Sequence, residues 1–271
     1  GGRRIITTKS NIVRLPSQTI ATLKTQIDSL SAIGATSINA GMKWGLALLD
    51  PGSRTMYSQL ITANAIPTSL SGRPYEYDDE EAMKVIVLMT DGENFAEERI
   101  NAGYRTGNSI IYRSNNDNNY SIFHASKSGS SKYWVPHKGT WQAVPWTNST
   151  NNGTYTQQTW QQVWSNLRVS YVAWLFFARA LGTSTYTTWL NTIRTQTPTT
   201  TMDDQLQAAC NQAKDNDVIV YGIAFEASSN GQTQIKKCAS SAGHYFNATG
   251  LQITSAFRAI ANNISQLRLT Q

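Results

Sequence analysis

The stretch VIVLMTDGENF, from Val85 to Phe95, decides how the chain is expected to fold. Five apolar residues run without a break and are followed by Thr90, Asp91 and Gly92. A continuous apolar run of this length predicts a strand buried on both faces, as in a parallel sheet covered by helices. The glycine lets the backbone turn sharply where the strand ends.

Further strands and helices alternate along the rest of the chain. Strands are predicted over residues 84–90, 218–225 and 243–246. The spacing of apolar residues predicts helices over residues 17–31, 37–49, 202–216, 233–240 and 251–267. Residues 52–83 look irregular. This alternation is typical of an α/β fold with a doubly wound, mainly parallel sheet and helices on both faces.

Residues 101–200 interrupt the alternation. They hold seven of the eight tryptophans, seven of the twelve tyrosines, and eight Lys or Arg against a single acidic residue. One helix is predicted there, over residues 160–181, and its segment Val169–Ala178 is expected to be buried. We therefore expect residues 1–100 and 201–271 to form one domain and residues 101–200 to form an aromatic, basic insertion in one of its loops.

Composition narrows the class of protein. The 271 residues are 40% hydrophobic and 15% charged, which is typical of a globular chain. No apolar run reaches the roughly 18 residues that span a bilayer. Cys210 and Cys238 are too few and too far apart for a zinc site. They form either one disulfide or two buried thiols, and composition does not decide between these.

Asp91 ends its strand at the edge where open parallel sheets bind ligands. The loop Gly34-Ala35-Thr36, just before the second predicted helix, offers the hydroxyl of Thr36. A carboxylate and a hydroxyl on neighbouring loops suit a hard divalent cation such as Mg²⁺, which takes oxygen ligands. The plainer interpretation of Asp91 is a cap for the turn or helix that follows it.

Several motifs, in order, resemble a known family. They are GATSINAGMKWGLALLDP at residues 34–51, VIVLMTDGEN at 85–94, AACNQAKDNDVIVYGIAF at 208–225, KKCASSAGHYFNAT at 236–249 and AFRAIANNISQLRLT at 256–270. The first two resemble von Willebrand factor A domains. Together they resemble the TadG-like proteins of the tight-adherence (Flp pilus) system of Gram-negative bacteria. The resemblance covers about residues 10–95 and 203–270.

The resemblance implies a function and a set of residues. It implies a non-catalytic adhesion or assembly domain, periplasmic or exposed on the cell envelope, that binds a protein partner at a metal-ion-dependent adhesion site. Thr36 and Asp91 match the family's metal ligands. It also implies an oxidising compartment and a disulfide between Cys210 and Cys238. Partner contacts are expected from the turn and from the insertion, at Glu93, Asn94, Trp134, Trp141 and Trp146.

The sequence departs from the family upstream of Thr36. The family's first metal loop, D-x-S-x-S, has no match there, and neither do the strands that flank the strand at residues 84–90. That strand would keep an unpaired edge. We therefore expect a fragment or a processed product whose missing strands and membrane anchor lie upstream, or a partner that supplies the strand. A divalent cation is expected only if the missing loop is supplied. Oligomerisation is left open.

Three other functions have less support in the sequence. The three histidines are scattered and no catalytic motif is present, so no enzyme is expected; Asp203 and Asp204 are interpreted as charges at a helix start. The positive charges of the insertion are spread too widely for nucleic-acid binding. The aromatic cluster from Tyr133 to Trp146 is either a platform for a glycan or protein, or a small core. A scaffold with a vestigial metal site is a further alternative. Trp44 and Phe257 are expected in the core.

Overall fold

The computed structural model describes residues 12–31, 35–148 and 153–269. Its helices are α1 (Ile20–Asp28), α2 (Ile38–Leu49), α3 (Arg54–Thr62), α4 (Trp160–Asn166), α5 (Val169–Val172), α6 (Arg179–Leu181), α7 (Tyr186–Ile193), α8 (Thr199–Asp215), α9 (Ser229–Cys238) and α10 (Gln252–Leu269). A π-helical segment, Ala173–Ala178, joins α5 to α6. None of the helices in the described ranges is long and apolar enough to cross a bilayer.

The strands of the described ranges fall into three sheets. They are β1 (Val85–Thr90), β2 (Glu97–Ile100), β3 (Asn108–Ser114), β4 (Tyr120–Phe123), β5 (Tyr133–Val135), β6 (Thr140–Gln142), β7 (Tyr155–Thr159), β8 (Arg194–Thr197), β9 (Ile219–Phe225) and β10 (Tyr245–Ala248). The chain also divides into two compact units. Of the described residues, 12–97 and 197–269 form the main unit, and 98–196 form the insertion unit.

The main unit is built on a parallel sheet in the order β1-β9-β10. Val85 pairs with Ile219 at the start of β1, and Thr90 pairs with Ala224 at its end. Side chains of α2, α8 and α9 pack on one face of this sheet, and side chains of α10 pack on the other. The predicted mixed α/β class with a parallel sheet is confirmed.

The prediction that β1 is buried on both faces is wrong. Ile86 and Leu88 point into the core with α2, but Val87 and Met89 are 40% and 48% exposed. The physical reason is position in the sheet. Among the described strands β1 has one neighbour, β9, and α10 packs on β9 and β10. An apolar run shows that a strand is hydrophobic, but it does not show what covers each face.

Other differences have local causes. A helix, α3, lies in the region predicted to be irregular. The single helix predicted over residues 160–181 is divided, because Leu167 and Arg168 have extended backbone. Trp44 and Phe257 are exposed rather than buried, so their assignment to the core is wrong.

A disulfide joins Cys210 of α8 to Cys238 of α9, as the resemblance implied. Both cysteines are fully buried in the core between these helices and the sheet. The two open possibilities for these residues, a disulfide or a pair of thiols, are therefore resolved in favour of the disulfide.

The insertion unit has a fold of its own. A five-stranded antiparallel sheet has the order β6-β5-β4-β3-β7, and β2 pairs with β8 where the chain enters and leaves the insertion. One face of the large sheet packs on α4, α5 and the π-helical segment through a core rich in aromatic residues. The aromatic residues of this region therefore supply a hydrophobic core without a disulfide.

Candidate functional site

The turn after β1 is closed by its own side chains. Thr90 is buried, and its hydroxyl accepts a hydrogen bond from the backbone N–H of Gly92 over 3.2 Å. This local bond bends the chain directly after the strand, as Ser and Thr hydroxyls do in turns. Asp91 is therefore held at the apex of the turn with its side chain exposed.

Thr36 lies against the same turn. Its backbone carbonyl accepts a hydrogen bond from the N–H of Phe95 over 2.9 Å. A Cβ built on Gly92 would lie 3.1 Å from the Thr36 hydroxyl, so the glycine makes this approach comfortable. The structure thus brings together the two loops that carry Thr36 and Asp91. Gly34, the start of the predicted Thr36 loop, lies outside the described residues.

Asn94 holds the turn to two helices. Its Oδ1 accepts hydrogen bonds from the backbone N–H of Ile38 over 2.7 Å and of Asn39 over 3.4 Å. These are free amides of the first turn of α2, so Asn94 caps a helix from a distant part of the chain. Its Nδ2 donates to Oδ1 of Asp203 over 2.8 Å. Asn94 is 2% exposed, and it braces the turn rather than presenting a surface to a partner.

The interpretation of Asp203 as a charge at a helix start is wrong. Helix α8 begins at Thr199, so Asp203 lies beyond the first turn and is not a charge at the helix start. Its second oxygen, Oδ2, accepts from Nδ2 of Asn230 over 2.9 Å. Both oxygens are therefore engaged by amides from other segments. No sequence pattern links Asp203 to its two partners, because Asn230 lies 27 positions and Asn94 lies 109 positions away from it.

Glu93 ties the turn to α9. One carboxylate oxygen accepts a hydrogen bond from the hydroxyl of Ser228 over 2.7 Å. Ser228 also caps α9 by accepting from the N–H of Gly231 over 3.2 Å. Gly231 touches the turn directly, since a Cβ there would collide with the carbonyl oxygen of Gly92. The turn after β1 is therefore held by α2, α8 and α9 together.

Asp91 differs from its neighbours. Its carboxylate has no hydrogen-bond or ion-pair partner among the described residues, whereas those of Glu93 and Asp203 are engaged. No group of three or more His, Cys, Asp or Glu residues that could hold a metal ion occurs in that part of the chain. One carboxylate and one hydroxyl do not fit a resident Mg²⁺, which needs more oxygen ligands. The remaining ligands would have to come from elsewhere.

A cleft of about 890 Å³ opens at the other end of β1, away from Asp91. It is lined by Lys84, Val85 and Tyr75, among others. The ammonium of Lys84 donates to the carbonyls of Leu49 and Tyr75 over 2.9 and 2.7 Å and lies 3.9 Å from the ring centroid of Tyr77. Burial lowers the pKa of Lys84. Because its donors are used internally, this lysine supports the fold, and this cleft is not the better candidate site.

The tryptophans of the insertion have different surroundings. Trp134 is buried, and its indole N–H donates to the carbonyl of Leu175 over 2.9 Å, so it belongs to the core and offers no exposed contact surface. Trp141 packs against Trp134 with ring centroids 5.4 Å apart and is half-buried. Trp146 donates to Asp117 over 2.9 Å and packs edge-on against His137.

The surroundings of Asp117 and of His124, both in the insertion, shift the pKa of each side chain. Partial burial acts to raise the pKa of Asp117, but hydrogen bonds from Asn119 and Trp146 outweigh it and hold that pKa well below the usual range. Burial lowers the pKa of His124, although a hydrogen bond to the carbonyl of Phe176 opposes the shift. His124 is therefore a neutral core residue at pH 7.

Comparison with family models, curated proteins and solved structures gives no match to this chain. Its function is therefore inferred from the geometry of the turn and from the properties of the insertion.

Proposed function

We propose that the chain is a non-catalytic adhesion or assembly domain that binds a protein partner at the carboxyl end of its parallel sheet. One observation carries the proposal. Asp91 presents an exposed carboxylate that has no partner among the described residues, on a turn that Asn94, Glu93 and Gly231 hold in place. A fixed and unpaired charge at a surface loses little conformational freedom on binding.

The motif resemblance supports the wider setting of this proposal. We place the chain with the von Willebrand A-like, TadG-like proteins, in the periplasm or envelope of a Gram-negative bacterium, as a component of a Flp-pilus or related assembly. The contact between the Thr36 loop and the Asp91 turn is what such a site requires. The buried disulfide agrees with an oxidising compartment.

The chemistry of the partner follows from the donors present. The exposed carboxylate of Asp91, on a turn that Thr36 contacts, can accept hydrogen bonds from a basic group of the partner. A divalent cation enters this contact only if carboxylates from the partner, or from further chain, complete its coordination. These two forms of the contact differ in one measurable respect, because only the second depends on the cation.

The test uses the intact protein in its source organism. We expect Asp91→Asn to reduce surface adhesion or pilus assembly at least about tenfold, since it removes the charge and keeps the shape. Asp215→Asn, an exposed acid at the far end of α8, is the matched control and should have no effect. Equal export of both variants is checked by immunoblot.

The outcomes separate the alternatives. Loss of adhesion in Asp91→Asn, together with sensitivity to a chelator, supports a contact completed by a cation. Loss without that sensitivity supports a direct contact. Normal adhesion in Asp91→Asn overturns the proposal and favours a scaffold with a vestigial site.

A further inference from the structure

We infer that the outer face of the five-stranded sheet in the insertion unit is a binding site for a neutral oligosaccharide. Four aromatic side chains lie side by side on this face, each on a different strand: Phe123 on β4, Tyr133 on β5, Tyr112 on β3 and Tyr155 on β7. We call them the aromatic row. Their consecutive ring centroids are 5.2, 5.5 and 5.8 Å apart.

Strand register explains why the four rings share one face. Tyr133 pairs directly with Phe123, and Tyr112 pairs with Ser121, which lies two residues before Phe123 on β4. Residues two apart on a strand point to the same side. The rings of Tyr112 and Tyr133 meet although β4 separates their strands. The small Ser121, which pairs with Tyr112, is buried, and its hydroxyl accepts a hydrogen bond from the backbone N–H of Trp146 over 3.0 Å.

The aromatic row is not part of the hydrophobic core. The core of the unit uses the opposite face of the sheet, where Ile111, Ile122 and Trp134 are buried. Tyr155 is 46% exposed, and the other three rings are half-buried. Rings that the core does not use, gathered at a surface, mark a binding site more often than scattered apolar residues do.

The charge of this face limits the kind of ligand. Residues 101–200 carry eight Lys or Arg and one acidic residue, so a randomly chosen face of this region would carry positive charge. The positions that strand pairing joins across the outer face are all uncharged: Gln157, Tyr112, Ser121, Phe123, Tyr133 and Gln142. Binding of a nucleic acid needs cations along the phosphate backbone. Asp117 and Lys138 both contact Trp146, whose backbone N–H donates to the hydroxyl of Ser121 on this face. The strand-paired positions themselves are neutral and therefore favour an uncharged ligand.

A sugar matches both properties of the row. The C–H faces of a pyranose are apolar and stack on aromatic rings, and its hydroxyls need donors and acceptors around those rings. Tyr112, Tyr133 and Tyr155 supply hydroxyls, and Gln142 supplies an amide at its margin, whereas the amide of Gln157 donates internally to the carbonyl of Ser109 over 2.7 Å. Ring planes are 79° and 81° apart on either side of Tyr112, so the row offers both flat faces and edges.

The experiment uses the full chain in affinity gel electrophoresis. The probes are neutral polysaccharides (a soluble β-glucan, amylose, xylan and glycol chitin), with alginate, heparin and oligo(dT) as anionic comparisons. We expect retardation by at least one neutral polymer. We expect Tyr155→Ala and Tyr112→Ala to weaken that binding about two- to tenfold each, from the loss of one stacking contact.

Two further variants keep the test decisive. Trp174→Ala removes an exposed ring elsewhere in the same unit and should leave binding unchanged. Tyr155→Phe keeps the ring and should retain most of the binding. The inference is overturned if no neutral polymer retards the protein, if an anionic polymer binds more tightly, or if Tyr155→Ala binds like the wild type. The aromatic row and Asp91 belong to different units, so failure here leaves the proposed function standing.

Discussion

Asn94 and Asp203 are joined by a hydrogen bond of 2.8 Å, although 109 positions separate them in the chain. The same asparagine caps α2 through the N–H of Ile38, and the same aspartate accepts from Asn230. One partly buried chain of hydrogen bonds therefore links the turn after β1 to three helices. The position of Asp91 depends on this network.

Asn94→Ala should destabilise the main unit by about 2 kcal/mol or more, because it leaves helix amides and one oxygen of the Asp203 carboxylate without their partners. The free energy of unfolding is measured by urea titration with far-UV circular dichroism. Asn211→Ala, an exposed position on α8, is the control and should change it by less than about 0.5 kcal/mol. Equal stability of the two variants would show that the network adds nothing to the fold.

Gly231→Ala should destabilise the protein by about 1–3 kcal/mol, because the added methyl group collides with the backbone of Gly92 and neither backbone can yield cheaply. Gly41→Ala is a useful contrast. It lies in α2, where an added Cβ meets nothing within 4 Å, so it should stabilise the protein by about 0.5–1 kcal/mol. Thermal melting of both variants measures the two effects, and the same sign in both would contradict this account.

The double variant Cys210→Ala/Cys238→Ala should lose about 3 kcal/mol of stability on the chain-entropy model. The disulfide closes a loop of 28 residues, which becomes free in the unfolded state of the variant. Urea titrations with and without reductant measure this loss. Reductant should lower the stability of the wild type and leave the variant unchanged; a wild type indifferent to full reduction would argue against the bond.

The insertion unit should become less stable as the pH falls below about 6.5, the ordinary pKa of histidine. Burial lowers the pKa of His124 in the folded state, so the unfolded state binds more protons below that pH and is favoured by acid. Tryptophan fluorescence during thermal unfolding follows this unit, since seven of the eight tryptophans lie between residues 101 and 200.

His124→Gln is the variant that tests this explanation. It keeps a donor for the Phe176 carbonyl and removes the titration, so its melting temperature should change less between pH 7 and pH 5. Burial also lowers the pKa of the more exposed His137, and His137→Gln should reduce the pH dependence less. A wild type that melts at the same temperature at both pH values would contradict the assignment.

The sequence predicted the parts of the main unit that depend on local pattern. The spacing of apolar residues located α2, α8, α9 and α10 to within a few residues, and the apolar runs located β1 and β9. Which faces of β1 are covered by other elements could not be predicted in the same way. Val87 and Met89 are as hydrophobic as Leu88, and their exposure depends on which elements pack beside the strand.

The candidate site was likewise predicted only in part. The T-D-G turn and its contact with Thr36 were expected, because strand ends and a preceding loop meet at one edge of a parallel sheet. The hydrogen bonds by which Asp203 and Asn230 hold the turn were not expected, because a bond between distant segments leaves no periodic pattern in the sequence. The outward-facing rings of the aromatic row could not be identified from the sequence, for another reason. Among so many aromatic residues, only strand register separates Tyr112 from the buried Trp134.

The disulfide between α8 and α9 also decides how the protein carries mechanical load. Its 28-residue loop contains β9, the central strand of the parallel sheet. Tension along the chain passes through the sulfur bridge and bypasses that loop. In a force–extension measurement, about 90–100 Å of contour length stays hidden until the bond is reduced. When the domain is pulled from both ends, its central strand therefore stays within a disulfide-closed loop that is not extended.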